Sequence, residues 1–254
     1  MTRVVKVGGR PQSDPRLAEI VASCWARDTG SVVLVHGGGD EVSALQSALG
    51  TASTFVDGRR VTTANDIDLV RMALSGSANK RLVSTLVAHG VDAVGLSGED
   101  AGLIGAAPMD AERLGHVGVP QSVNVAFLKH LLSGGYMPVV SPVSRDASDT
   151  LGAALNVNGD DAAAAIAAAL GAAELLLVAD VPGVMRDGKV IPCLTPDAAR
   201  TLMADGIAVG GMQAKLQAAL SALAAGVPQV RISDLAAIDD LNRGTMLRRF
   251  GELS

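Results

Sequence analysis

The apolar positions of this chain follow two alternating rhythms. Short runs rich in β-branched residues, at 4–7, 32–35, 91–96, 137–140, 175–178 and 229–232, read as buried strands. Between them lie stretches with apolar residues at helical spacing: 16–29, 66–74, 79–89, 123–133, 162–170, 196–205 and 212–225. Such strand–helix alternation predicts an α/β fold with a mainly parallel sheet covered on both faces. The stretches 101–119 and 142–155 are irregular and rich in Gly, Ser and Asp, which predicts hairpins or loops at the rim of the sheet. No internal repeat or low-complexity linker breaks the pattern. A boundary between two lobes, 1–172 and 173–254, falls where a new strand and a new set of loops begin.

Composition narrows the class. Of 254 residues, 48% are hydrophobic but only 2% aromatic, so the core is built from Ala, Val, Leu and Ile, and the length suffices to bury a large one. The formal charge is -5, with no basic stripe and no interleaving of basic and aromatic residues, which argues against nucleic acid as a partner. Charged residues, Gly and Pro cut every apolar run short of a membrane span, and the nine residues of 162–170 suit a buried helix. Cys24 and Cys193 match no metal or redox spacing. The chain enters a strand at once, so no signal peptide is expected, and a cytoplasmic protein without membrane contact is the resulting class.

The candidate chemistry begins at two glycine turns, Lys6-Val7-Gly8-Gly9 and His36-Gly37-Gly38-Gly39. Each follows an apolar strand and leads into a helical pattern. A parallel strand that breaks at glycine before a helix gathers backbone N–H groups at the carboxyl edge of the sheet, where ligands of open α/β sheets bind. Lys6 adds a full positive charge. Read singly, the first turn is equally a tight bend with a solvated lysine, and His36 is foremost a hydrogen-bonded histidine at a strand end. Three consecutive glycines are costly in backbone entropy, and close approach of main chain to a ligand would justify them. The chain has no G-x-x-x-x-G-K-[ST] loop and no G-x-G-x-x-G turn after the first strand, so any phosphate cradle is built from separated pieces.

Three further segments fit that idea. In Asn156-Val157-Asn158-Gly159-Asp160-Asp161, helix capping accounts for one polar residue but not for four in six. Asp160 suits an anchor for cationic side chains, and Asn156 a donor to a substrate oxygen. In Gly210-Gly211-Met212-Gln213-Ala214-Lys215, a lysine sits in the first turns of a helix, against the helix dipole unless an anion is nearby, with a solvated lysine as the alternative. In Asp57-Gly58-Arg59-Arg60-Val61-Thr62-Thr63, the arginine fork suits a carboxylate, and a solvated surface loop is as consistent with the spacing.

Taken together and in this order, the five segments resemble the amino acid kinase superfamily, and within it the N-acetylglutamate kinases. The similarity runs over nearly the whole chain and includes Gly76-Ser77-Ala78-Asn79-Lys80, Val94-Gly95-Leu96-Ser97-Gly98, Gly115-His116-Val117-Gly118, Asp180-Val181-Pro182-Gly183-Val184 and Gly244-Thr245. The resemblance implies a carbamate kinase-like three-layer α/β/α sandwich, an acyl-amino acid in the N-terminal part, and ATP with Mg²⁺ in the C-terminal part. By motif position it implies Lys6 and Lys215 as catalytic lysines and Asp160 as the carboxylate that orients both. Gly8, Gly9, Gly38 and Gly39 would offer N–H groups to phosphate or substrate, and Arg60 and Asn156 would hold the substrate α-carboxylate. Asp180, Val181, Pro182, Gly183, Val184 and Met185, with Ile207, Ala208 and Val209, align with segments that line the nucleotide site. No protein metal ligand is implied.

The implied reaction is phosphorylation of the γ-carboxylate of N-acetyl-L-glutamate, in arginine biosynthesis. The same chemistry on N-succinylglutamate or on carrier-bound α-aminoadipate stays open, as does a regulatory homologue that binds without transferring phosphate. Two positions depart from the family pattern. Asp40 follows the triple glycine where proline is common, and Met246 follows Gly244-Thr245 where arginine is common. No N-terminal helix like that of the ring-forming, arginine-inhibited members precedes the first strand, so a homodimer with little arginine feedback is expected.

Overall fold

The computed structural model describes residues 1–56 and 58–248. Asp57 of the double-arginine turn and the tail 249–254, assigned above to the C-terminal lobe, lie outside the described residues. The first two strands, β1 (Arg3–Val7) and β2 (Val32–His36), are buried along nearly their whole length. Strands without a polar face need cover on both sides, as the alternation predicts. Between them runs α1 (Leu17–Arg27), and after them α2 (Gly39–Ala48) and a small hairpin of β3 (Phe55–Val56) and β4 (Arg59–Arg60). Next, α3 (Asp66–Arg71) passes through a π-helical turn, Met72–Ala78, into α4 (Asn79–Ala88) and β5 (Ala93–Gly98). A second hairpin follows: β6 (Ile104–Pro108), short α5 (Ala111–Leu114) and β7 (Val117–Val123). Then come α6 (Val125–Ser133), β8 (Met137–Asp146), β9 (Ala154–Val157), α7 (Gly159–Leu170) and β10 (Glu174–Val178). The last third holds β11 (Met185–Arg186), β12 (Lys189–Val190), β13 (Cys193–Leu194), α8 (Pro196–Ala204), α9 (Gly210–Ala224), β14 (Val230–Ser233) and β15 (Thr245–Leu247).

Among the described residues one eleven-stranded sheet runs β13-β15-β14-β10-β1-β2-β8, and β5 and the β6-β7-β9 group build onto β8. The central pairs β14–β10, β10–β1, β1–β2 and β2–β8 are all parallel. Antiparallel pairing is confined to the flanks, at β14–β15, β6–β7 and β8–β9. Helices α6, α7 and α9 pack together over the sheet, while α1 and α4 form a separate packed pair. The architecture is the expected α/β sandwich with a mainly parallel sheet. The pairing of β10 with β1 carries the sheet across residues 171–173 without interruption.

Several boundaries differ from expectation, each for a local reason. The helix read at 162–170 starts at Gly159, because Asn158 Oδ1 accepts the Asp160 N–H and caps the first turn. The strand read at 137–140 continues to Asp146, since its second half is held by β6 on one side and β9 on the other. The helices read at 66–74 and 79–89 are joined rather than separated, with the π turn absorbing Gly76. The irregular stretches 101–119 and 142–155 do form rim hairpins, in β6–β7 and β8–β9.

At the edge of the sheet away from the glycine turns, a carboxylate is buried between cations. Glu174 accepts from Arg3 Nε at 2.8 Å and from Arg231 Nε at 2.7 Å. Arg231 is only 1% exposed and spends its remaining N–H groups on the carbonyls of Ala237, Asp240 and Arg243. Breaking one partner of such a buried group leaves uncompensated charge, which costs on the order of 3–5 kcal/mol. Glu174→Gln is therefore expected to lower the urea midpoint substantially, as followed by circular dichroism. A midpoint within error of wild type would show the network to be dispensable.

Candidate active site

Lys6, the penultimate residue of β1, reaches the carboxyl end of the sheet, and the chain then turns through Gly8 and Gly9. A Cβ at Gly8 would lie 2.7 Å from Lys6 Nζ, so glycine there leaves room for the ammonium group. The second glycine turn packs against the first, its Gly37 N–H donating to Val7 O at 2.9 Å. Gly38 takes a φ of 139°, and a Cβ on it would lie 2.7 Å from Leu74 Cδ2. His36 is fully buried behind this turn. Its Nδ1 donates to Gly37 O at 2.7 Å, which leaves Nε2 to accept from Asn79 Nδ2 at 3.0 Å. Burial, and secondarily the charges of Lys6 and Lys80, push its pKa down to about 4, so the ring is neutral near neutral pH. It is the hydrogen-bonded histidine that the sequence suggests, and Asn79, its partner, fixes the turn from the π-helical side.

From the opposite layer, the first turn of α7 presents Asp160 to the same place. Lys6 Nζ lies 2.9 Å from Asp160 Oδ1, and Lys215 Nζ, from α9, lies 3.2 Å from the same oxygen. The side chains of Lys6, Asp160 and Lys215 are only 9%, 6% and 13% exposed. Burial pushes the Asp160 carboxyl upward, but the two ammonium groups outweigh it and hold it below the usual carboxylate range. Burial and then the charge of Lys6 push Lys215 down to about 8, with Asp160 opposing them. Two cations around one carboxylate leave this buried cluster one positive charge in excess. It is built to receive an anion.

Two hollows meet at that cluster. The first, of about 320 Å³, is lined by Lys6 and Asp160 together with Gly38, Gly39, Arg60 and Asn156. Arg60 is 9% exposed, and its hydrogen bonds go to uncharged oxygens: Gln46 Oε1, Ser53 Oγ, Ser43 Oγ and Gly39 O. Among the described residues no carboxylate lies within ion-pair distance of it. The guanidinium is thus rigidly held, stacked over Phe55 at 4.8 Å, with its charge left for an incoming anion. Asn156 shares the wall and donates to Thr62 Oγ1 at 2.9 Å.

The second hollow, of about 440 Å³, is lined by Lys6, Asp160 and Lys215 with Gly8, Gly9, Asp180, Gly210 and Gly211. Asp180 sits toward its rim, paired with Arg10 at 2.8 Å. The other nucleotide-site candidates do not line this hollow. Val181 packs on the core, Val184 and Ala208 are buried in it, and Met185 opens the β11–β12 hairpin. Pro182 O accepts from Ser233 Oγ, and a Cβ on Gly183 would lie 2.8 Å from Thr245 Oγ1. Ile207 and Val209 are exposed beside the start of α9. Any contact that Val184 or Ala208 makes with a ligand is therefore through backbone rather than side chain. Asp40 borders both hollows, in the first turn of α2 where the dipole favours its charge.

Sequence reasoning missed the residues that hold Arg60, namely Ser43, Gln46 and Ser53, and the partner of Arg59, Asp161. Gln46 and Ser43 carry no motif signal beyond being polar on the inner face of α2. Among the described residues no group of three or more His, Cys, Asp or Glu is arranged to hold a metal ion.

Comparison with known proteins gives a consistent picture. The profile of the amino acid kinase family matches residues 1–234. The acetylglutamate kinase of Chloroflexus aurantiacus is 45% identical over 253 residues, covering 99% of this chain and 98% of its own. A crystal structure from Streptococcus mutans superposes with a TM-score of 0.85 at 28% identity, covering 97% of this chain and 98% of that one. The carbamate kinase of Giardia lamblia bound to AMP-PNP superposes with a TM-score of 0.70 at 16% identity over 98% of each chain, which speaks to the fold.

Proposed function

The chain belongs to the amino acid kinase family, and from that premise we propose that it transfers the γ-phosphoryl group of MgATP to the γ-carboxylate of N-acetyl-L-glutamate, in arginine biosynthesis. The observation that carries this reading is the junction of two hollows at Lys6, Asp160 and Lys215. The first hollow, with Arg60 and Asn156, suits a dicarboxylate with one end at the lysines. The second, with Gly8, Gly9, Gly210 and Gly211, suits the ATP phosphates. The N-terminal residues, 1–172, would hold the acyl-amino acid and 173–254 the nucleotide. The 45%-identical relative named for this activity supports the choice of substrate.

The chemistry needs little else. A γ-carboxylate has a reference pKa of about 4.3 and is already ionised at neutral pH, so it attacks without a general base. One of its oxygens bonds to the γ-phosphorus as the bond to the β,γ-bridging oxygen breaks, and that electron pair leaves with ADP. Lys6 and Lys215 neutralise the equatorial oxygens in flight, and Asp160 holds both lysines in line. A Mg²⁺ ion carried on ATP would supply further positive charge to the phosphates, beside the residues of the second hollow. The enzyme is expected to work as a cytoplasmic homodimer, and a hexameric mass in solution would count against that part of the reading.

A coupled assay for ADP release over N-acetylglutamate, N-succinylglutamate and a carrier-bound α-aminoadipate tests the assignment. Turnover is expected with the free acetylated compound, and silence with it while another acceptor reacts would sink the choice of substrate. The lowered pKa of Lys215 adds a pH signature. Since kcat/KM for ATP reports the free enzyme, it should fall as pH rises past about 8 and the ammonium is lost. Folding stability moves oppositely. Between about 8 and the ordinary 10.5 the unfolded chain binds the extra proton, so this group makes the fold more stable as pH rises. Parallel activity and melting profiles check both signs.

A further inference from the structure

Next to the lysine-binding carboxylate stands a second one that the proposed reaction does not use. Asp161 lies in the first turn of α7, and its Oδ2 accepts from Arg59 Nη2 of β4 at 2.8 Å. Both side chains are 21% exposed. Asp161 borders a separate hollow of about 300 Å³, lined otherwise by small and apolar residues such as Val119, Ala164 and Ala168, and Arg59 stands between that hollow and the Arg60 cavity.

We propose that Arg59 is a positioning residue that acts through Asp161: by neutralising this carboxylate it leaves Asp160 as the one effective anion acting on Lys6 and Lys215. The groups that face Asp161 are Arg59 from the hairpin, Asp160 from its own helix and Lys6 from β1. Burial raises its pKa first of all, Arg59 pulls it back, Asp160 pushes it further up and Lys6 opposes that. Without Arg59 the carboxyl is free to titrate. Below its raised pKa it takes a proton and is harmless. Above it, the new charge competes with Asp160 for Lys6 and repels the two anionic substrates. One unpaired charge roughly 6–12 Å away, at an effective dielectric of about 20, corresponds to roughly ten- to a hundredfold in rate.

The test is a pH series on Arg59→Met, Asp161→Asn and the double variant, with wild type alongside. Arg59→Met is expected to add a decline in kcat/KM with rising pH, absent from wild type and reaching about tenfold to a hundredfold. Asp161→Asn in the same chain should abolish that limb and return activity to within a few-fold of wild type. Arg59→Lys, which keeps the charge, should retain the wild-type profile. A pH-independent loss shared by the single and double variants would overturn the proposal, because Arg59 would then act on substrate or on the hairpin directly. So would an Arg59→Met enzyme indistinguishable from wild type. Should that variant fail to fold, rescue of its melting transition by Asp161→Asn supports the charge argument, and no rescue overturns it. The proposal rests on the phosphoryl-transfer reading only for its assay. The same limb should appear in the calorimetric affinity for Mg-AMP-PNP, so an enzyme inactive on N-acetylglutamate would sink that reading while leaving this one measurable.

Discussion

Replacing Lys215 by alanine is expected to lower kcat by roughly a hundred- to a thousandfold, the usual effect of removing one preorganised donor from a charge-stabilising site. The affinity for MgATP should weaken only a few-fold. Lys215 sits 3.2 Å from Asp160 in a cluster that carries one positive charge in excess. That excess matters most when charge spreads over the transferring phosphoryl group, so its loss falls on the transition state more than on the bound nucleotide. Steady-state kinetics against calorimetric binding separates the two. If turnover survived at near wild-type rates, Lys215 would be a bystander and the arrangement of both lysines on Asp160 would lose its meaning.

For Arg60→Ala the expected failure is of a different kind. The KM for the acylated amino acid should rise about a hundredfold, the scale of a lost charge-assisted fork of roughly 2–3 kcal/mol. The KM for ATP should hold, since Arg60 borders the first hollow and not the second. Arg60→Lys should fall between, keeping the charge but losing the planar fork that Gln46, Ser43 and Gly39 now hold in place. Equal rises in both KM values would mean that the substitution had disturbed the fold around α2 rather than a carboxylate contact. A melting curve of the variant tells these apart.

The central strands were legible because complete burial writes itself as unbroken β-branched runs. The glycine turns were legible because their backbone demands exclude other residues. Lys6, Asp160 and Lys215 could each be singled out from sequence, Lys215 by its awkward place near a helix start. Their meeting on one oxygen could not be derived from local pattern, since 154 positions separate the first two and 55 the last two; it was implied only by resemblance. The cradle of Arg60 was invisible for a related reason. Gln46, Ser43 and Ser53 are ordinary polar residues until the chain brings them around a guanidinium. The second half of β8 fell in a stretch read as rim hairpin or loop because Pro142, Ser144 and Asp146 look like rim residues, and pairing on both sides extends the strand through them. Asp161 passed as a second acidic residue at a helix start until Arg59 was seen against it.

The ladder between β1 and β10 has one more implication. Because β1 and β10 are stitched together by main-chain hydrogen bonds, the sheet is continuous between residues 1–172 and 173–254, with no free hinge at 171–173. If residues 1–172 hold one ligand and 173–254 the other, as proposed, any clamping upon them must come from a change in sheet coiling, or from peripheral flaps such as the β3–β4 hairpin. Catalytic alignment would then be inherited from a stiff frame, and motion would be spent on admitting and releasing small molecules.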